Sequence, residues 1–356
     1  MLRGDHKPMK SLVSCITATA LIGGVVAVAS AARDEGRMHD LDGAVAWLNS
    51  APLSSKALRG KVVLVNFWTY SCINSLRELP YMKAWAAKYK DAGLVVIGIH
   101  APEFGFERDP VNVRTAVSDL NVTYPIPIDS NHSIWTSFRN EYWPANYFID
   151  AKGRIRYHHF GEGEYDESER VIQALLRENG ATGLDERLVR IRAEGPEVPP
   201  SDDMRSPETY VGYARTENFA SAERMARDSR RIYSPPARPA LNQWGLGESW
   251  NIGAERATLE SAPGKIVFRF HARDVHMVLG PQKNGMPSRT PIRFKVTLNG
   301  GAPGEDHGSD SAADGTGEVR QPRMYQLIRQ KGPIRDATFE IEFLDPGAEV
   351  FSFTFG

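Results

Sequence analysis

The sequence predicts an α/β layer domain followed by an all-β sandwich. Three observations carry that prediction. Short apolar strand patterns alternate with helical ones up to Gly180, the pattern is lost after Gly180, and period-two runs dominate from about residue 257. A chain of 356 residues is long enough for two domains. Hydrophobic residues at 41% and charged residues at 24% give each domain the apolar content for a core. The net charge of -1 provides no broad basic surface, which argues against nucleic acid as a partner.

Residues 1–32 read as a signal peptide or a membrane anchor. Arg3, Lys7 and Lys10 precede an apolar run from Leu12 to Ala29, and Ala29-Ser30-Ala31 offers the small-x-small pattern of a cleavage site. The run is nearly long enough to span, so both readings stand. Leu12-Val13-Ser14-Cys15 has the look of a lipoprotein box, but the apolar run follows Cys15 instead of preceding it.

Residues 33–180 hold the α/β pattern. Val62 to Trp68 is a nearly continuous apolar run with β-branched residues, as in a buried parallel strand. A helical pattern follows from about Ser75 to Ala92, interrupted by Pro80. Val95 to Ile99 is the next strand, and residues 110–120 suggest a helix with Pro110 in its first turn. Tyr124 to Asp129, Asn146 to Asp150 and Arg154 to Phe160 follow as strands. An amphipathic helix from Tyr165 to Glu178 ends at Gly180. Residues 181–250 are polar and proline-broken, and are expected to be linker and lead-in. Within 251–356, Ile266–Phe270, Phe294–Leu298, Phe339–Phe343 and Val350–Phe355 alternate as antiparallel strands do.

Only two cysteines are present, Cys15 and Cys72, which excludes a disulfide-stapled scaffold and a Cys-rich zinc site. Cleavage after Ala31 would leave Cys72 alone. Cys72 sits between a buried strand and a helix. There the free N–H groups and the macrodipole favour a thiolate, the form that attacks disulfides.

Phe67-Trp68-x-x-x-Cys72-x-x-Ser75 with Leu79-Pro80, and Trp143-Pro144 leading into Ala145–Asp150, resemble the thioredoxin-like thiol:disulfide proteins of the TlpA type. Trp68 to Asn74 also matches the WTYSCINC-type motif of DipZ-type cytochrome c biogenesis proteins, in their extracytoplasmic C-terminal part. His100 to Phe104 and Tyr142-Trp143-Pro144 are similar to that subfamily as well. The resemblance implies a thioredoxin-like domain followed by a jelly-roll-like sandwich similar to a carbohydrate-binding module. It covers most of the chain after residue 40. It also implies an exported, periplasmic or otherwise extracytoplasmic protein acting in thiol redox homeostasis or cytochrome c maturation.

The match breaks at Ser75, where the family has its second, resolving cysteine. Serine forms no disulfide, so Cys72 has no internal partner. The site is either a natural monothiol or a substitution that traps its mixed disulfide. The expected chemistry is attack by Cys72 on a disulfide-containing protein or small thiol compound, with release by an external reductant thiol. By resemblance, Glu78 is an acid/base group near the sulfur; a helix-surface glutamate beside Arg77 is the plainer reading. Pro144 is expected to be the family's cis-proline, and Trp68, Tyr70 and Trp143 form either an apolar substrate rim or part of the core.

Two other functions compete. Thr69-x-x-Cys72 also fits part of a peroxiredoxin site, although Val65 stands where that motif has proline; an arginine beside Cys72 would favour this reading. Alternatively the thioredoxin fold is only scaffold, and the sandwich binds a glycan or protein. Trp244 and Trp250 are candidates for a sugar-binding face, with core or edge packing the plainer reading. The acidic loop Asp306–Asp310 with Asp314 lacks calcium-loop spacing. His158-His159 lacks a second ligand pair. No cofactor or metal is implied.

Overall fold

In the computed structural model the described residues are 35–282 and 290–356. The expected export segment and Cys15 lie outside them. Among the described residues no helix is long and apolar enough to cross a membrane.

The first domain runs β1 (Ala46–Leu48), β2 (Val62–Trp68), α1 (Ile73–Tyr89), β3 (Leu94–His100), a 3-10 turn (Gly105–Arg108) and α2 (Pro110–Asp119). It continues with β4 (Ile126–Ile128), α3 (Ser133–Ser137), β5 (Ala145–Ile149), β6 (Ile155–Phe160) and α4 (Tyr165–Glu178). The strands form one sheet in the order β1-β4-β3-β2-β5-β6, with β2 parallel to β3 and antiparallel to β5. All seven residues of β2 are buried, because both faces of the sheet are covered. Val62, Leu64 and Trp68 share a core with Leu79, Met82, Trp85 and Tyr89 of α1 and Ile172, Leu175 and Leu176 of α4. Val63, Val65 and Phe67 pack on the other side against Ile134 and Phe138.

Pro80 does not interrupt α1. It removes the N–H that would reach the Leu76 carbonyl, a loss of about 3 kcal/mol in an isolated helix. Burial of Met82, Trp85 and Tyr89, each at 1% exposure or less, carries the helix past it. Asp109 caps α2 by accepting from Val111 N–H at 2.9 Å, ahead of Pro110. The helix α3 and the strand β1 carry too little periodicity to be read from sequence.

The second domain is built of β7 (Thr209–Tyr210), β8 (Arg230–Tyr233), β9 (Trp244–Ile252), β10 (Ala257–His271), β11 (Asp274–Pro281) and β12 (Ile292–Leu298). It closes with β13 (Thr316–Val319), β14 (Arg323–Arg329), β15 (Asp336–Phe343) and β16 (Ala348–Phe355). These ten strands form one antiparallel network. The 15-residue β10 pairs with β16 through Ala257 and Thr258 and with β15 through Gly264–His271, and its register against β9 shifts on both sides of Ser261. The bend lets one strand serve both layers. Between them lie Trp244, Trp250, Phe268, Phe270, Phe339 and Phe353, all fully buried.

Three strands of this sheet, β7 to β9, begin before residue 251, inside the stretch expected to be linker and lead-in. The prolines at 235 and 236 had masked them; Pro235 and Pro236 pack over Gly247 and Gly245 of β9. Trp244 and Trp250 offer no sugar-stacking face. Both rings are in the core, and their indole N–H groups donate to the carbonyls of Glu217 and Gly247 at 2.8 Å.

The two domains meet over the start of α1. Ile73 and Leu76 pack with Phe104 against Val278, Met324 and Phe351 of the second domain. Phe351 lies 5.2 Å from the Phe104 ring and 4.7 Å from the Phe106 ring. Polar contacts flank this patch. Arg77 donates to the Phe355 carbonyl at 3.2 Å, Gly105 N–H to Glu255 at 3.0 Å, and Gln321 to Asp119 at 3.1 Å.

Phe351→Ala should lower the urea midpoint by the equivalent of about 3 kcal/mol, the usual cost of deleting a buried ring. Alkylation of Cys72 should also speed up. A variant with unchanged midpoint and unchanged thiol accessibility would show that this ring does not hold the domains together.

Candidate active site

Cys72 is the N-cap of α1, with extended backbone angles (φ -81, ψ 120), and its carbonyl accepts the first helical bond from Leu76 N–H at 3.0 Å. It is half-buried and carries a free thiol. The helix-terminus argument alone expects a lowered pKa. Here burial, followed by the carboxylates of Glu103 and Glu208, pushes the thiol up. Hydrogen bonds from the backbone N–H and the hydroxyl of Ser75 act in the opposite sense. Ser75 therefore occupies the missing cysteine's position and draws the thiol pKa down, against the larger effect of burial. Its own hydroxyl accepts from Thr69 N–H at 3.4 Å.

Glu208 comes from the second domain. Tyr210 Oη bridges Glu103 Oε1 at 2.6 Å and Glu208 Oε2 at 3.0 Å. Arg215 pairs with Glu103 at 3.1 Å and lies 3.5 Å from the Tyr210 ring centroid. The second domain thus contributes charge to the surroundings of the thiol. Tyr210, Glu208 and Arg215 carry no signal in the sequence, since they lie more than a hundred residues from Cys72 in a stretch with no motif.

Glu78 is buried, not a surface glutamate. Its Oε2 accepts from Asn66 at 2.8 Å and its Oε1 from Asn146 at 2.5 Å; the two asparagines are themselves joined at 3.0 Å. Asn66 on β2 and Asn146 on β5 are direct cross-strand partners. Burial pushes the carboxyl up to about 8, against the pull of the two amides. A signal for this trio existed: Asn66 is a polar residue inside an apolar strand, and a buried amide needs partners.

The Trp143–Pro144 peptide is cis. Trp143 donates its indole N–H to the Ala101 carbonyl at 3.0 Å and lies 4.3 Å from Trp135. Trp68 is a core residue at 1% exposure and does not form a rim. Tyr70 is also buried, stacked on His100 at 5.4 Å. It nevertheless lines, with Leu76, Leu120, Arg323 and Met324, a cleft of about 230 Å³ at the domain junction. His158 pairs with Glu35 at 2.6 Å, and Asp310 of the acidic loop pairs with Arg323 at 2.6 Å.

A mixed sheet flanked by helices, a cysteine capping the helix after the central strand, and a cis-proline at the next strand define a thioredoxin-fold thiol protein. Residues 42–158 match the family described as AhpC/TSA, and residues 206–356 match the one described as thioredoxin-like C-terminal domain. Over 302 residues the chain is 36% identical to protein DipZ of Mycobacterium bovis, covering 82% of this chain and 42% of that protein. The chain therefore spans less than half the length of that curated relative. It is 30% identical over 141 residues to thiol-disulfide oxidoreductase YkuV of Bacillus subtilis, covering 40% of this chain and 95% of that protein. The solution structure of a thioredoxin-like protein in the oxidized form is 31% identical, with a TM-score of 0.37, and covers 40% of this chain and 95% of its own. The chain belongs to the thioredoxin-like thiol-disulfide oxidoreductases.

The raised carboxyl of Glu78 ties stability to pH. The folded chain holds that proton up to about 8, whereas the ordinary value is 4.5, so the folded state binds more protons in between. Stability from this group is complete below about 4.5 and is lost as the pH rises through about 8. Glu78→Gln should flatten thermal midpoint against pH across that window by the share of one proton. An unchanged slope would mean that Glu78 is ionised in the folded protein.

Proposed function

We propose that this chain is an extracytoplasmic monothiol redox protein that exchanges disulfides through Cys72. The observation that carries the reading is the placement of Cys72 at the N-cap of α1, directly after the buried strand β2, with Ser75 in the first turn behind it. The Cys72 thiolate attacks a substrate disulfide. One substrate sulfur becomes bonded to Sγ, and the other leaves as a thiolate that takes up the proton Cys72 gave away. An external thiol then attacks the mixed disulfide, forms a disulfide with the bound substrate sulfur, and returns Cys72 to its reduced form. Ser75 stabilises the sulfur anion but cannot displace the substrate. Glu78, neutral until about 8, is the group proposed to carry the proton.

The substrates proposed are disulfide-containing proteins or small disulfides outside the cytoplasm, in thiol homeostasis or cytochrome c maturation. The support is the family, the likeness to DipZ and the apolar segment at Leu12–Ala29. A peroxidase is less well supported. The charged groups with the largest influence on Cys72 are carboxylates, which oppose a thiolate, whereas peroxide chemistry calls for a cation beside it.

With a small-molecule disulfide the wild-type chain should accumulate a mixed disulfide at Cys72, visible by intact mass, and release it only when free thiol is added. Ser75→Cys should release it without added thiol and gain multiple-turnover reductase activity with a recycling thiol. A Cys72 that forms no adduct in the folded protein, with no activity gained by Ser75→Cys, would move the function to the second domain.

A further inference from the structure

Glu107 has the most completely satisfied buried carboxylate near the thiol, and no motif points to it. It sits in the 3-10 turn after β3 with no exposed surface. Its Oε1 accepts from the hydroxyls of Thr69 and Ser71, the latter at 2.6 Å, and from Ser71 N–H at 3.3 Å. Its Oε2 accepts from Glu103 N–H at 2.6 Å and Phe104 N–H at 3.0 Å. Every one of these partners is a neutral hydroxyl or amide. Thr69-Tyr70-Ser71 is the whole connection between Trp68, the last residue of β2, and Cys72 at the cap of α1. One carboxylate therefore ties both ends of the thiol-bearing loop to the segment Glu103–Phe104.

We propose that Glu107 is a positioning residue for Cys72, holding the loop so that the sulfur stays at the N-terminus of α1. The inference rests on Cys72 being the reacting thiol. Thr69 is the point of contact with Ser75, through its N–H to the Ser75 hydroxyl. On its other side the Thr69 hydroxyl lies 3.4 Å from His100 Nε2. The segment Glu103–Phe106 is in turn gripped by the second domain: Glu103 by Tyr210 and Arg215, Phe104 and Phe106 by Phe351, and Gly105 by Glu255. Glu107 is thus the joint through which the docked second domain is fastened to the loop that carries the thiol.

Glu107→Gln keeps the shape but leaves one set of donors facing an NH2 group, because an amide accepts through only one of its two heads. Ser71→Ala and Thr69→Val remove single donors and disturb the fold less. The titratable groups acting on Glu107 are Glu103 and Tyr70; His100 on β3 meets Thr69, and Asp109 acts on Tyr70. Burial keeps His100 neutral down to about 3, so it does not change charge in the assay range.

The experiment is the pH profile of Cys72 alkylation by iodoacetamide in the full chain, with circular dichroism as the check on folding. Removal of a negative charge by itself would lower a nearby thiol's pKa. Loss of position should do the opposite, since the thiolate loses its place at the positive end of α1. In folded Glu107→Gln the midpoint should move to higher pH and the rate at neutral pH should fall about tenfold, the equivalent of one pKa unit. Ser71→Ala should shift it the same way by less, and Ser71→Ala combined with Glu107→Gln should be no worse than Glu107→Gln alone. A midpoint that stays or moves down in the folded variants, or strictly additive shifts, overturns the proposal. Alkylation needs no disulfide substrate. A chain that shows these shifts but forms no mixed disulfide would therefore refute the redox function and leave the positioning role standing.

Discussion

The first two turns of α1 are packed on both sides, and most of the chemistry around the thiol depends on that. Leu79 and Met82 face the central sheet, while Ile73 and Leu76 face Val278, Met324 and Phe351 of the second domain. A helix terminus open to water offers its N–H groups and partial positive charge to any anion. Covered on its outer side, the same terminus keeps those groups, but the anion must also lose its water. At Cys72 the second effect is the larger, and the two carboxylates of Glu103 and Glu208 add to it. The second domain is therefore part of the electrostatic environment of the thiol and not a separate module attached behind it.

The buried acids on either side of the site are handled in one way. Glu78 is held by two asparagine amides, and Glu107 by two hydroxyls and three backbone amides. Neither has a cation partner, and burial pushes both up, to about 8 and about 7. Neutral donors satisfy the oxygens without supplying charge, so these acids remain responsive to pH where an ion-paired acid would be fixed. Ion pairs lie near the site at the domain seam instead, as in Arg77–Glu162 and Arg215–Glu103.

Local periodicity was enough to recognise β2, α4 and the alternating strands β12, β15 and β16, since each buries a face that its own residues declare. The same local pattern around Cys72 located the thiol and the cap, whereas the cis-proline was expected from the family resemblance. Pro80 misled, because the packing of Met82, Trp85 and Tyr89 on the sheet outweighs a local helix breaker. Trp244 and Trp250 were readable as core or as surface, because strands distant in sequence decide which by closing over them. Glu107 and Tyr210 were illegible for the same reason. Their roles exist only once residues 69–71, 103–107 and 208–215 are adjacent, and no short window of sequence contains that adjacency.

The order of strands in the second domain bears on how the chain reaches this state. The first domain's sheet is completed within residues 35–180, whereas β10 pairs with β15 and β16, some 65 to 93 positions later, and β16 supplies Phe351. Such long-range pairing is slow relative to a domain already complete, and chains generally fold from the N-terminal side during synthesis. Enclosure of the helix terminus that carries the thiol thus depends on the strand at the far end of the chain.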